Sequence, residues 1–175
     1  MTNSTNMKTL IQNSVRFGLA LVAVLFSFTT QAQQSPAATA EGKIGKSDVT
    51  ISYSQPSARG REIMGGLVPY DKVWRTGANK ATTIELSSDI KVEGESLKAG
   101  KYGLFTIPGK DKWVIIFNET WDQWGAFNYD DSKDVLRVEA EPAKSGKFSE
   151  TFTITVEKDG FTLHWENTEV KVSAK

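Results

Sequence analysis

The sequence contains no cysteine and only one histidine, His164. Without cysteine the chain can form no disulfide, no thiolate zinc or iron–sulfur site, no lipid-modified cysteine and no cysteine nucleophile. A single histidine excludes any site that needs two or three imidazoles. The 21 basic and 21 acidic side chains balance, so charge gives no support for nucleic-acid binding. What remains is a chain of 175 residues with ordinary globular composition, enough for one domain.

The first 32 residues contain no acidic side chain and follow the pattern of an export signal. Lys8 and Arg16 precede the apolar run Phe17–Phe28, and Thr30–Ala32 has small residues at its first and third positions. This order is typical of a secretory signal peptide. The alternative, a membrane anchor, needs about 20 apolar residues, and the run is shorter. We therefore predict a signal peptide over residues 1–32, cleaved near Ala32–Gln33, with no membrane span afterwards and a periplasmic or secreted mature protein.

The mature chain divides into a leader and one domain. Residues 33–45 are rich in Gln, Ala, Pro and Ser, which predicts a flexible leader. From residue 46 to residue 175 apolar and polar residues alternate in short segments, for example at 49–53, 82–86 and 136–140. The segment Trp113–Phe117 is apolar on both faces, which predicts a covered central strand. We therefore expect an all-β fold, a single antiparallel β-sandwich or barrel-like domain of about eight or nine strands.

The clearest hairpin signal lies near the C-terminus, at Asp159-Gly160. Asp-Gly favours a two-residue type I′ turn. Such a turn would pair Val156 with Leu163 and Ile154 with Trp165, so that apolar side chains face apolar ones.

Two long stretches, residues 55–79 and 118–131, lack strand alternation but are rich in Trp, Tyr, Arg and Asn. Long loops on a compact domain are functional or disordered, and this composition does not suit disorder. Trp and Tyr offer flat apolar faces, Arg a planar fork for anions, and Asn both a donor and an acceptor. The ligand-binding candidates are Arg59, Arg61, Trp74, Arg75, Asn79, Asn118, Trp121, Trp124 and Tyr129.

The same composition has a structural interpretation. The aromatic side chains could plug the ends of a sandwich, and the arginines could satisfy loop carbonyls. His164, on the polar face of its strand, is a candidate base or simply a solvated side chain. Asp130, Asp131 and Asp134 lack the spacing of a calcium loop, so we predict no metal. No motif points to a cofactor either.

The two stretches carry a resemblance to a known family. The segments ARGREIMGGLVPYDKVWRTGANKAT, LKAGKYGLFTIPG and WVIIFNETWDQWGAFNYDDSKDVLRV resemble a bacterial exported family, domain of unknown function 2911, over about residues 47–172. The family is common in Bacteroidetes-type bacteria. The resemblance implies an exported all-β domain and supplies no reaction. Lys80 stands where the family motif has Glu, which argues against a shared carboxylate role and leaves Trp74, Arg75 and Asn79.

Three function classes remain open. The first is a non-enzymatic binding or accessory domain with a small polar or anionic ligand, a sugar or a peptide at the Trp/Arg/Asn loops. The second is a small hydrolase or isomerase that uses Arg75, Asn79 and His164. The third is a purely structural envelope protein. The residue inventory favours the first class, and the oligomeric state stays open.

Overall fold

Ten strands and one short 3₁₀ helix make up the described part of the protein. The structure, a computed structural model, describes residues 34–175, so the predicted signal peptide and its cleavage point lie outside the described residues. The strands are β1 (Ala37–Ile44), β2 (Ser47–Ser54), β3 (Thr82–Leu86), β4 (Ile90–Val92), β5 (Glu95–Leu97), β6 (Gly100–Ile107), β7 (Trp113–Asn118), β8 (Asp134–Ala140), β9 (Pro142–Glu157) and β10 (Gly160–Ser173), with the 3₁₀ helix at Asp131–Lys133.

Six strands form the main sheet, in the order β1-β2-β3-β6-β7-β8, with every neighbouring pair antiparallel. The long strands β9 and β10 pair with each other, and β4 and β5 form a small hairpin. Thr151 of β9 also forms an isolated bridge with Ser57. The predicted all-β antiparallel class is confirmed. The main sheet does not close into a barrel, and the described part has ten strands where eight or nine were expected.

The β9–β10 hairpin packs on one face of the main sheet, which we call the inner face. Phe152 of β9 lies edge-on to Tyr53 of β2, with ring centroids 5.8 Å apart, and the amide of Ile154 donates to the Tyr53 hydroxyl at 3.0 Å. Period-two alternation places the apolar side chains of both layers in one core, as the sequence pattern requires. The hairpin therefore supplies the second layer of the fold.

The opposite, outer face of the main sheet carries a smaller apolar cluster. It is built from Phe105 of β6, Ile116 of β7 and Ala81, with Ala126 and Tyr129 packed against it. The inner-face neighbours Ile115 and Phe117 are fully buried as well. The prediction that Trp113–Phe117 is a central strand covered on both sides is therefore confirmed.

The predicted flexible leader is wrong for residues 37–44, which form strand β1. This strand pairs in full register with β2, from Ala37 opposite Ser54 to Ile44 opposite Ser47. Ala40 and Ile44 turn into the core and are almost fully buried. The small residues of this segment are typical of a flexible leader. They also suit a strand at the edge of a sheet, because its pairing depends on the backbone and on only a few inward side chains.

The hairpin near the C-terminus exists, but its predicted register is off by two residues. Phe161 pairs with Val156 and Leu163 with Ile154, so the turn is centred one residue earlier, on Lys158 and Asp159. Neither turn residue has a positive φ, which excludes a type I′ turn. Gly160 instead takes φ +144° as the first residue of β10, where a Cβ atom would lie 1.9 Å from the Val172 carbonyl oxygen. A shift of two preserves the facing of side chains, so the apolar pattern could not reveal it.

Candidate functional site

Trp74, in the connection between β2 and β3 (loop A, residues 55–81), is a core residue. Its backbone exchanges two hydrogen bonds with Thr106 of β6, at 2.7 and 2.9 Å. Its ring stacks on Trp165 at 6.0 Å and lies edge-on to Trp113 and Phe152. The indole nitrogen donates to the Gly77 carbonyl at 3.1 Å. Trp74 therefore fits the structural interpretation, in which the loop aromatics fill the core, and not the ligand-binding one.

The two arginines at the start of loop A also have local structural contacts. Arg61 donates from Nε to the Ala58 carbonyl at 3.0 Å and from a terminal nitrogen to the Ser57 carbonyl at 2.7 Å. The backbone amide of Arg59 donates to the Glu150 carboxylate at 2.6 Å. These contacts fix the start of loop A on the β9–β10 sheet and use the fork of Arg61 internally.

Asn118 and Tyr129 hold the connection between β7 and the 3₁₀ helix (loop B, residues 119–130). The fully buried Asn118 amide donates to the Asp130 carbonyl at 2.9 Å and to the Asp134 carboxylate at 2.7 Å. The Tyr129 hydroxyl donates to Asp134 at 2.6 Å and accepts from Arg137 at 3.0 Å. Burial, with the Asp134 hydrogen bond next, raises the pKa of Tyr129 to about 12. Both residues therefore stabilise loop B.

Asn79 and Trp121, one from each loop, come together at a cavity on the outer face of the main sheet. The cavity measures about 280 Å³, near the lower end of small-molecule sites. The Asn79 amide donates to the Ser54 hydroxyl at 3.2 Å and to the Ser35 carbonyl at 3.0 Å. The Trp121 ring is about two-fifths exposed and lies under the Lys101 ammonium, 4.4 Å from the ring centroid. The two loops thus converge on one concave surface.

The rest of the cavity wall combines apolar surface with a few hydroxyl and charged groups. Lys80 and Asp122 form an exposed ion pair at 3.2 Å on this wall. The strand residues that line the cavity were not among the sequence-predicted candidates, because outward strand residues were interpreted as facing solvent. The signal was the set of small hydroxyl residues on the outward face of adjacent strands. The lining residues are Ala37, Ser52, Tyr53, Ser54, Asn79, Lys80, Ala81, Thr83, Trp121 and Asp122.

Three of the other depressions on residues 34–175, of about 310 to 420 Å³, contain none of the nine sequence-predicted ligand residues. They are lined by residues such as Lys91 and Asp159, Met64 and Lys144, or Glu41 and Thr50. Volume alone would not choose among the four. The cavity at Asn79 and Trp121 differs from them because two predicted residues from separate loops meet there.

Arg75 differs from Arg61 in having no local partner. Its guanidinium makes no hydrogen bond or ion pair with the described residues, and its Nε is shielded from solvent. Burial lowers the pKa of Arg75. The backbone oxygen of Arg75 accepts from Thr82 at 3.2 Å, next to the cavity wall. No contact among the described residues supports the alternative expectation that Arg75 satisfies buried loop carbonyls.

Trp124 lies in loop B beside the cavity without lining it. Its backbone bridges to Lys80, and its side chain is more than half exposed. Phe127, two residues after Gly125, is 84 % exposed. Loop B therefore presents aromatic side chains to solvent next to the cavity.

His164 lies away from this cavity, on the β9–β10 sheet. Its Nε2 is 2.8 Å from the Lys147 carbonyl oxygen and 3.2 Å from that of Glu166. The neighbours Leu163 and Trp165 point into the core, so His164 faces outward from the second layer. The core therefore lies between His164 and the cavity that Asn79 lines, and the structure does not bring the predicted Arg75, Asn79 and His164 trio together.

Residues 34–175 contain neither a metal-binding cluster nor a membrane-spanning helix. No group of three or more His, Asp or Glu side chains within this range is placed to hold a metal ion. Within the same range, the structure contains no helix with the length and apolarity to cross a bilayer.

Fold and cavity together define the class: a two-layer antiparallel β domain with a cavity on the outer face of its main sheet. The chain belongs to the DUF2911 family, described as a protein of unknown function, whose family model matches residues 35–174. The resemblance seen in the loop motifs is thereby confirmed. Neither a search of curated proteins nor a search of solved structures found a match.

Proposed function

We propose that this domain is an exported, non-enzymatic binding protein for a small polar ligand, which it holds in the cavity between β1–β3 and loop B. The observation that carries the proposal is the convergence of Asn79 and Trp121 on that cavity. A flat aromatic face, an amide and several hydroxyls suit a molecule with both apolar and hydroxyl-bearing edges, such as a sugar.

The chemistry of the wall favours binding over catalysis. Among the described residues that line it, the only carboxylate is Asp122, which is exposed and paired with Lys80 at 3.2 Å. General acid–base or glycosidic chemistry would need a second positioned carboxylate or a histidine. His164 faces outward from the other layer. A binding site needs none of these groups, and this cavity has what such a site requires.

The position of Trp121 supplies a direct test of the ligand site. Intrinsic fluorescence and a thermal shift should respond to one or more sugars, peptides or organic anions. Trp121→Ala should weaken that response at least tenfold, because the ring forms one wall of the cavity. Trp124→Ala is the matched control: it lies in the same loop, is also exposed and does not line the cavity, so it should change affinity by less than about twofold. Equal losses from both variants would contradict the cavity as the site.

Export is a separate part of the proposal and rests on the basic, apolar and small segments of residues 1–32. N-terminal sequencing of the protein purified from cells should begin at or near Gln33. A mature chain that still begins at Met1 would remove export, and with it a periplasmic or secreted location, without affecting the cavity.

A further inference from the structure

A second depression lies where loop A meets both layers of the fold. It measures about 310 Å³ and shares no lining residue with the cavity at Asn79 and Trp121. Its walls come from loop A, from the turn between β6 and β7, from the start of β7 and from both strands of the β9–β10 hairpin. The lining residues are Met64, Tyr70, Gly109, Lys110, Trp113, Pro142, Ala143, Lys144, Asn167 and Thr168.

Strand alternation directs Lys144 and Thr168 toward the main sheet. The two residues are partners across β9 and β10, two positions away from the pair Pro142 and Val170. Val170 is 1 % exposed and belongs to the inner core, and residues two positions apart in a strand lie on the same side of the sheet. A continuing core would need apolar side chains at these positions. The chain has a lysine and a threonine there, and both line the depression.

An irregularity of the hairpin places Asn167 beside them. Between the strand pairs at Glu166 and Thr168, residues 145–148 of β9 stand opposite Asn167 alone. Glu166 has φ +50°, a left-handed conformation that is uncommon for residues other than glycine. Bulges of this kind redirect side chains and are frequent next to functional sites. The Asn167 side chain lines the depression and makes no hydrogen bond with the described part of the chain, so its amide is available to a ligand.

The charged residues that line the depression are both cations. Lys110 and Lys144 form no ion pair within residues 34–175. The Lys110 ammonium lies 5.9 Å from the ring centroid of Tyr70, whose hydroxyl has no hydrogen-bond partner in the same range. Asp111 follows Lys110 in sequence, but neither it nor any other described carboxylate lines the depression. Two cations on one concave surface raise the local positive potential, which attracts anions.

The floor adds a donor that the core holds in place. Trp113 is 2 % exposed, and its indole N–H has no acceptor among the residues that the structure describes. The unpartnered side-chain atoms of residues 34–175 that are shielded from solvent are Arg75 Nε and Gln123 Oε1, so the Trp113 nitrogen keeps some contact with solvent. Of the four depressions, Trp113 lines only this one. The N–H is therefore available at its floor.

We infer that this depression binds a tetrahedral oxyanion with two negative charges, a phosphate or sulfate group, between Lys110 and Lys144. Ammonium groups and neutral N–H and O–H donors are the groups with which proteins hold such anions. Two lysines and no carboxylate match a dianion better than they match a carboxylate group with one charge. The inference is independent of the proposed function, because the two sites share no residue.

The probes are inorganic phosphate, sulfate, acetate and glucose 6-phosphate, titrated into the purified protein by calorimetry at constant ionic strength with chloride as the balancing anion. Phosphate and sulfate should bind saturably and on the order of tenfold more tightly than acetate. Lys110→Gln and Lys144→Gln should each weaken phosphate binding about tenfold, the lower end of the range for a charged hydrogen bond. Both variants should melt with the wild type, because neither lysine has an ion pair to lose.

Lys158→Gln is the matched control. It removes the same charge from the turn of the same hairpin, is exposed and lines none of the four depressions. Its phosphate affinity should therefore stay within about twofold of wild type.

The indole N–H resonance of Trp113 reports where the anion binds. It should shift saturably with phosphate and move much less in Lys144→Gln at the same phosphate concentration. The resonance of Trp124, which is exposed on loop B and does not line the depression, should not shift.

Four results would each overturn the inference: no saturable binding of phosphate or sulfate, equal binding of acetate, an equal loss in Lys158→Gln, or a Trp113 resonance that stays unchanged. Inward charges also protect strands from pairing with other chains. If that is the whole role of Lys144, Lys144→Gln should increase self-association and leave phosphate affinity unchanged, which also overturns the inference. Tighter binding of glucose 6-phosphate than of inorganic phosphate would identify an ester as the ligand, and weaker binding would identify the free ion; either order supports the site.

Discussion

Loops A and B are rich in the same residue types, yet they differ in the exposure of their tryptophan side chains. In loop A, Trp74 is 8 % exposed and is surrounded by Trp113, Phe152 and Trp165. In loop B, Trp124 is 54 % exposed and has no ring partner among the described residues. One loop closes the inner core between the two layers, and the other lies over the outer face of the main sheet.

The difference shows that one domain can bury the tryptophan of one aromatic-rich loop and leave the tryptophan of another exposed. Trp74 is inward because its backbone bridges to Thr106 on β6, which places it in strand alternation with the core. Trp121 and Trp124 follow β7 after its last paired residue. Trp124 also forms an isolated bridge, but its partner Lys80 lies outside every strand. Whether a loop residue joins a strand of the sheet therefore decides here between a buried and an exposed tryptophan.

The largest expected effect comes from removing the inner tryptophan. Trp74→Ala should destabilise the fold by about 3–5 kcal/mol, the cost of truncating a buried large aromatic side chain, and it also leaves the Gly77 carbonyl without its donor. Trp124→Ala should stay within about 0.5 kcal/mol of wild type, since it is exposed. Urea melts of the two variants make the comparison. Similar losses in both would mean that loop B is as much a part of the core as loop A.

The next effect tests the hairpin that covers Trp74. A side chain at Gly160 would clash with the Val172 carbonyl and would require φ +144°, so Gly160→Val should cost about 2–4 kcal/mol. Gly146→Val is the matched control in the same sheet, because a Cβ atom there meets nothing within 4 Å. Thermal unfolding of both variants distinguishes them. Wild-type melting of Gly160→Val would show that the observed register is wrong.

The sequence predicts the fold class better than it predicts register or site. Alternation located β2, β3 and β8, because burial on one face repeats every second residue, and the continuous apolar run Trp113–Phe117 located β7. It could not place the hairpin turn, since the approach of Gly160 to Val172 brings together the two ends of β10, twelve residues apart, and leaves no local pattern. Composition also predicted a leader where β1 forms, because the pairing of β1 with β2 depends on the backbone and leaves little trace in the side chains.

The residues that line the proposed cavity were predicted only in part. Asn79 and Trp121 were among the candidates and line the cavity, but the small hydroxyl residues Ser52 and Thr83 were not, because outward strand residues look alike whether they face solvent or a cavity. Arg61 and Arg75 could not be told apart by type. Only the contacts show that one is used locally and the other is not.

The smallest expected effect concerns the polar group that holds loop B over the outer face. The folded state raises the pKa of Tyr129 from 10.0 to about 12, so it favours the neutral phenol. The stabilisation is fully present below pH 10, where the unfolded chain is also neutral, and it is lost as the pH rises through 12. Two pKa units correspond to roughly 2.7 kcal/mol, and partial solvent access reduces this to about 1 kcal/mol. The measurement is the free energy of unfolding of wild type and Tyr129→Phe from pH 9 to pH 12. The two values should differ most at pH 9, because the hydroxyl bonds to Asp134 and Arg137 are intact there. They should converge as the phenol of the unfolded chain ionises. A difference that stays constant with pH would mean that loop B is held by its apolar contacts with Phe105 and Ala81 and not by the Tyr129 hydroxyl.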